Sequence, residues 1–98
     1  MAISMNMTWK DVTVEQYEAV RVRVGWEVNH PPGGVVHTCW FEGSDMRVMD
    51  VWDSAEAFNA FVQERLMPAV AELGLPGEPH VVIHPAHALF IAPTAKGF

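Results

Sequence analysis

The sequence predicts an α+β domain, a four-stranded antiparallel sheet with two helices on one face, in the order β-α-β-β-α-β. Three observations carry this. The chain opens with strict polar/apolar alternation, the period of a half-buried strand. Two capped amphipathic stretches follow at helical spacing. A hairpin signal, two β-branched and aromatic runs about a short Gly-containing turn, lies between them.

Residues 2 to 9 form the first strand, with Ile3, Met5, Met7 and Trp9 on an apolar face and Ser4, Asn6 and Thr8 on a polar one. Thr13-Val-Glu-Gln16 has the spacing of a capping box, and Val12 and Tyr17 are placed as a hydrophobic staple, so a helix is predicted over 14–26. Val20-Arg-Val-Arg-Val24 also alternates as a strand would, but the cap and the spacing of Tyr17, Val20 and Val24 favour the helix. Asn29 to Gly34 is a loop by composition, Val35 to Glu42 a strand, Gly43-Ser44-Asp45 a turn and Met46 to Trp52 the next strand. Asp53 or Ser54 caps the second helix, with Glu56 able to complete a box with Asp53. Its apolar face is Phe58, Phe61, Val62, Leu66, Ala69, Val70 and Leu73. Pro68 lacks a backbone donor and crowds the carbonyl of Glu64, which predicts a kink near Met67. Gly74 is the C-terminal cap, and 75–79 a loop. His80 to Ile91 is the last strand, interrupted at Pro85, and Thr94 to Phe98 a tail.

A chain of 98 residues is expected to be one domain, 1–98, with its core over about 2–91. The net charge of −6 argues against nucleic acid or an anionic membrane as partner, both of which need basic footprints. No apolar run approaches membrane-spanning length, and the N-terminal residues do not read as a signal peptide. The single Cys39 can form no intrachain disulfide, which suits a reducing, cytoplasmic setting.

Asp50-Val-Trp52-Asp53-Ser54 is the most informative stretch, because it puts an acid and an indole on one face of a strand. Two hairpin registers are open. An even turn pairs Phe41 with Met46, Cys39 with Val48, His37 with Asp50 and Val35 with Trp52; a three-residue turn pairs Thr38 with Asp50 and flips the strand. The first is the more attractive, because it joins an imidazole to a carboxylate. The Asp50/Trp52 face is expected beside Ser4, Asn6 and Thr8, on the side no helix covers. It is too apolar for water and too polar for a dry core, so a second copy of the sheet is expected to cover it, giving a homodimer.

The element order, the strand ending Val51-Trp52 and the following Ser54-Ala-Glu-Ala-Phe58 resemble the ferredoxin-like, dimeric α+β barrel superfamily, nearest to the antibiotic biosynthesis monooxygenases and to small bacterial members without assigned activity. The resemblance spans about residues 2 to 91. It implies a small-molecule cavity and a cofactor-independent, monooxygenase-like oxidation of a hydrophobic aromatic or polyketide-like compound. In the haem-degrading branch, a Trp on this strand and an Asn on the first line the cavity, positions matched by Trp52 and Asn6. That branch's iron ligand, a His on the second helix, has no counterpart, for no His lies between His37 and His80. No cofactor is expected.

On this reading His37, oriented by Asp50, is the general base, and Asn6 holds a developing oxyanion. Trp52 packs on the ring, and Val48, Cys39, Phe41 and Ser4 complete the lining. The plainer reading makes His37 and Asp50 a self-satisfied interface pair, Trp52 interface core, and Cys39 a small buried hydrophobe. His84-Pro-Ala-His87 is a poor metal spacing, since residues three apart on a strand point to opposite faces, and no metal is expected. His30 reads as a loop residue. Alternatives to the enzyme are a binding module for a small apolar ligand or haem, and a structural dimer. Fold alone does not choose among them.

Overall fold

A computed structural model describes all residues from Met1 to Phe98. The elements are β1 (Ile3–Lys10), α1 (Val14–Val24), β2 (Gly34–Glu42), β3 (Asp45–Trp52), α2 (Ala55–Phe61), a wide π-type turn over Val62–Leu66, α3 (Met67–Leu73) and β4 (His80–Pro85). The strands form one antiparallel sheet in the order β2-β3-β1-β4. This is the predicted ferredoxin-like α+β arrangement, with the second helix broken in two.

Local chemistry explains the boundaries. Thr13 caps α1 through the predicted box, its side chain accepting from the Gln16 amide while Gln16 reaches back to the Thr13 amide. The helix stops at Gly25, left-handed at φ 69°, so the alternating valines after Tyr17 are helical. Ser54, not Asp53, caps α2 by accepting from Ala57 N–H. Pro68 sits in the first turn of α3, where its missing donor is harmless, and the wide turn just before it absorbs the backbone mismatch. The last strand ends at Pro85 instead of resuming towards Ile91, because proline has no donor for the ladder.

The hairpin turn is Gly43-Ser44, since Glu42 pairs with Asp45. The even register follows, with His37 opposite Asp50, Cys39 opposite Val48 and Phe41 opposite Met46. The expected Val35–Trp52 pair does not form. A bulge between Gly34 and Val36 shifts the register, and Gly34 stands opposite Trp52. Glycine is needed here on steric grounds. A Cβ on Gly34 would lie 2.9 Å from the Trp26 ring, and one on Gly33, at φ 84°, 2.5 Å from the Ala57 methyl.

The sheet's two faces are set by β1. Met5 stands opposite Asp50, Met7 opposite Val48 and Ile3 opposite Trp52, so the Asp50/Trp52 face is the one with the buried β1 side chains and the helices over it. This corrects the sequence expectation. Ser4 and Asn6 pair with Val51 and Met49 on the opposite face, which no helix covers. A directly opposed pair in an antiparallel ladder shares a face, so the apolar set of β1 and the Asp50/Trp52 set of β3 belong together. The core beneath the helices joins Ile3, Met5, Met7, Trp9, Val48, Trp52, Phe58 and Val70, among others. Trp9 satisfies its indole N–H by donating to the Pro76 carbonyl at 2.6 Å.

Candidate functional site

Asp50 is the one buried charged residue, 3% exposed. A carboxyl in such a place needs donors, and it has two. His37 Nδ1 lies 2.7 Å from Oδ1, and Trp52 Nε1 donates to Oδ2 at 3.1 Å. On the far side of the imidazole, the Tyr17 hydroxyl lies 2.7 Å from His37 Nε2. The donors assign the tautomer. Nδ1–H donates to the carboxylate, so Nε2 accepts from the tyrosine hydroxyl. The result is a continuous relay, Tyr17–His37–Asp50–Trp52, drawn from α1, β2 and β3.

Beside the relay lies a cavity of about 80 Å³, walled by Met5, Met7 and Trp9 of β1, Met46 and Val48 of β3, Phe58 and Phe61 of α2, and Tyr17, Val20 and Val24 of α1. Tyr17, His37 and Asp50 are among its few polar walls; Arg21 and Glu27 are the others. The volume is well below the few hundred Å³ of drug-sized ligand pockets and suits one aromatic ring better than several. Over the cavity lies α1, which unlike α2 and α3 has no fully buried residue.

Trp26 closes one wall. Its ring centroid is 5.2 Å from His37 and 5.8 Å from His30, and it meets Trp52 and Phe61 edge-on at 5.3 and 5.9 Å. Burial pushes the Tyr17 phenol well above its ordinary range, so it stays protonated as a donor. Burial likewise raises the Cys39 thiol from 9.0 to about 11, against a nearby Tyr17 hydrogen bond that lowers it. A thiol so placed is not a nucleophile near neutral pH. Arg21 is held firmly charged, chiefly by its hydrogen bond to Glu27.

The expected site residues divide into three groups. His37, Asp50 and Val48 come together at the cavity. Trp52, Cys39 and Phe41 share its face of the sheet but do not line it. Trp52 is fully buried behind Trp26, Phe58 and Phe61, and acts as a donor to Asp50, not as a platform for a ligand. Phe41 meets the Tyr17 ring edge-on at 6.3 Å, and Cys39 lies next to it on the edge strand. Asn6 and Ser4 are on the other face and do not reach the cavity. Sequence reasoning missed Tyr17 as a polar group and Trp26 as the aromatic wall. The signal for Tyr17 was present, since the helical spacing Tyr17, Val20, Val24 turns it towards the sheet. Trp26 lies beyond the helix cap, where no periodicity speaks. No cluster of three or more His, Cys, Asp or Glu side chains is placed to hold a metal.

No family model matches the sequence, and no curated protein matches it. Solved structures match in fold. SnoaB, a cofactor-independent oxygenase from Streptomyces nogalater, superposes with TM-score 0.64 at 20% identity, over 90% of this chain and 94% of that one. A provisionally named antibiotic biosynthesis monooxygenase from Caulobacter crescentus gives 0.70 at 20% identity, over 89% and 91%. A protein of unknown function from Nitrosomonas europaea gives 0.71 at 12% identity, over 93% and 94%. The chain thus has the ferredoxin-like α+β fold, and its structural neighbours include antibiotic biosynthesis monooxygenase-like proteins. No helix is long and apolar enough to cross a membrane.

Proposed function

We propose that the chain is a cofactor-independent, monooxygenase-like enzyme acting on a small, electron-rich hydroxyaromatic compound bound in the cavity beneath α1. The observation that carries this reading is the Tyr17–His37–Asp50 relay opening on an apolar cavity. The neighbouring fold of SnoaB, a cofactor-independent oxygenase, points the same way.

The substrate hydroxyl gives up its proton to the relay. Tyrosinate is disfavoured at Tyr17, so the phenol hands its own proton to His37 Nε2 as it takes the substrate's. Asp50 stabilises the imidazolium through Nδ1–H. The substrate anion is then rich enough in electrons to react with dioxygen. A hydroquinone supplies all four electrons itself: hydroquinone and O₂ give hydroxyquinone and water, so one oxygen atom enters the ring and the other leaves as water. The apolar walls keep bulk water from the anion.

Oxygen uptake with 1,4-dihydroxybenzene, measured above the uncatalysed background, tests the reading. His37→Ala is expected to lower the rate by about 10²–10⁴-fold while the circular dichroism stays native. Uptake unchanged in that variant would refute the role of the relay. Ligand quenching of tryptophan fluorescence with no uptake would instead favour a binding module. One observation favours that second reading: both ring nitrogens of His37 and both oxygens of Asp50 are already satisfied within the chain.

The homodimer is proposed on new grounds. The uncovered face carries Trp40, 41% exposed, and Val82, 37% exposed, with half-buried Met49 among polar Ser4, Asn6 and Thr8. A second copy applied to it would cover that apolar surface. Light scattering on a sizing column should then give about twice the 10.9 kDa chain mass. A monomer would end the dimer proposal and leave the cavity intact, since its walls lie within one chain.

A further inference from the structure

The relay accounts for three of the polar groups in the cavity wall and leaves two, Arg21 and Glu27. Arg21 follows Tyr17 by four residues on α1, so the two side chains share a helix face about 6 Å apart along the axis. The guanidinium Nε donates to Glu27 Oε1 at 2.7 Å, Nη1 lies 3.6 Å from Glu18 Oε2, and Nη2 reaches the Phe98 carbonyl at 3.4 Å. The pair stands at the cavity wall, at the end away from the relay. It is half-open to solvent, with Arg21 32% and Glu27 52% exposed, so its own contribution to stability is small.

We propose that Arg21 is the substrate-recognition residue, and that the cavity takes a one-ring hydroxyaromatic acid whose carboxylate replaces that of Glu27 on the guanidinium. This rests on the function proposed above and names its substrate class. Glu27 marks where a carboxylate fits: its oxygen already occupies the guanidinium's hydrogen-bonding edge at the cavity wall. A ring with a hydroxyl at the Tyr17/His37 end and a carboxylate one helical turn away matches both polar ends, and its body matches the apolar walls between. Glu27 is the built-in competitor. It holds the guanidinium through Nε when the site is empty and swings out to water when an acid binds, which its exposure permits. A neutral ring must share the cavity with an intact ion pair and gains nothing from Arg21.

Anaerobic titrations followed by tryptophan fluorescence test this, with 1,4-dihydroxybenzene and 2,5-dihydroxybenzoate as the two probes. The acid is expected to bind about tenfold more tightly, the size of a part-exposed charge-assisted hydrogen bond. In Arg21→Gln the ratio of the two affinities should fall to near one, and Arg21→Lys should restore part of it. Glu27→Gln, which removes the competitor, should raise the ratio about threefold, and added salt should lower it. Equal affinities in the native protein, or a ratio that survives Arg21→Gln, would overturn the inference. Its failure is distinguishable from that of the oxidation reading, because the neutral probe and its oxygen uptake report on the relay whatever Arg21 does.

Discussion

The two helical walls over the sheet behave differently. The α2–α3 wall buries Phe58, Ala69 and Val70 and packs directly on the tryptophan and methionine core. The α1 wall has no fully buried residue; it runs along α3 and meets the strands chiefly through half-buried Tyr17, which reaches His37 and Phe41 of β2. Both helices begin with a good side-chain cap, so the difference is not one of local propensity. It comes from which side chains face the sheet. The first wall presents phenylalanines and small aliphatics that close-pack, whereas the second presents Tyr17, Val20, Arg21 and Val24, which stand off and leave the cavity. One wall supplies stability, and the other is free to carry function.

The sharpest way to break this contrast is to truncate one residue in each wall. Phe58→Ala removes a 3%-exposed ring from the core and should cost about 3–5 kcal/mol in urea unfolding. Val20→Ala, on the half-buried cavity side of α1, should cost less than about 0.5 kcal/mol. Comparable losses in the two variants would mean that α1 is as firmly packed as its neighbour, and the cavity would lose its physical basis.

Asp50 lies where the two regions meet, and its replacement should give an intermediate effect. Asp50→Asn keeps the size but leaves one carbonyl oxygen for two donors, Nδ1–H of His37 and Nε1–H of Trp52. With His37 in its present tautomer one donor is then left unsatisfied in a buried place, a cost of about 1–3 kcal/mol in stability; moving the imidazole proton to Nε2 would relieve it by letting Nδ1 accept from the amide. The relay also loses the group that orients the imidazole, so oxygen uptake should fall in the same variant. A fully stable Asp50→Asn protein would mean that His37 has moved its proton to Nε2 and accepts from the new amide at Nδ1.

How much of this was legible in the sequence follows from the same contrast. Elements fixed by short-range chemistry could be read directly: the Thr13–Gln16 box, the cap before α2, the alternation of β1 and the hairpin that sets His37 against Asp50. The side of the sheet could not. Alternation says that Met5 and Asn6 face opposite ways, but which of them joins Asp50 depends on the β1–β3 register, a contact between segments more than forty residues apart. The error that placed Asn6 and Ser4 in the site has that single cause. Trp26 and the role of Trp52 were hidden for a related reason. Which of two tryptophans faces a cavity depends on how a loop closes, here with Gly34 letting the Trp26 ring lie against the start of β2.

A smaller effect separates the walls by dynamics. If α1 is the looser, its amides should exchange with solvent faster than those of α3, although its own capping box is complete. Thr13→Ala, which removes that cap, should lower stability by about 1 kcal/mol and speed exchange in α1 first. Uniform acceleration across both walls would show a single cooperative unit and remove the grounds for treating α1 as the looser wall.

The last expected effect is an alkaline one, and its sign follows from burial at the edge of the α1 wall. The folded chain holds the Cys39 thiol proton more tightly than the unfolded chain does, its pKa rising from 9.0 to about 11. The resulting stabilisation is complete below pH 9 and is lost as the pH climbs through 11. Tyr17, raised by burial as well, adds a similar loss that begins only above its ordinary value of 10.0. Urea midpoints at pH 8, 9, 10 and 11 should therefore fall in two overlapping stages. Cys39→Ala should flatten the first stage, between pH 9 and 10, and leave the second. An unaltered profile would mean that Cys39 is wetter than its place beside Tyr17 suggests. The edge of the α1 wall would then be open to solvent at β2, and a ligand's route into the cavity would run past Cys39 as well as past Arg21.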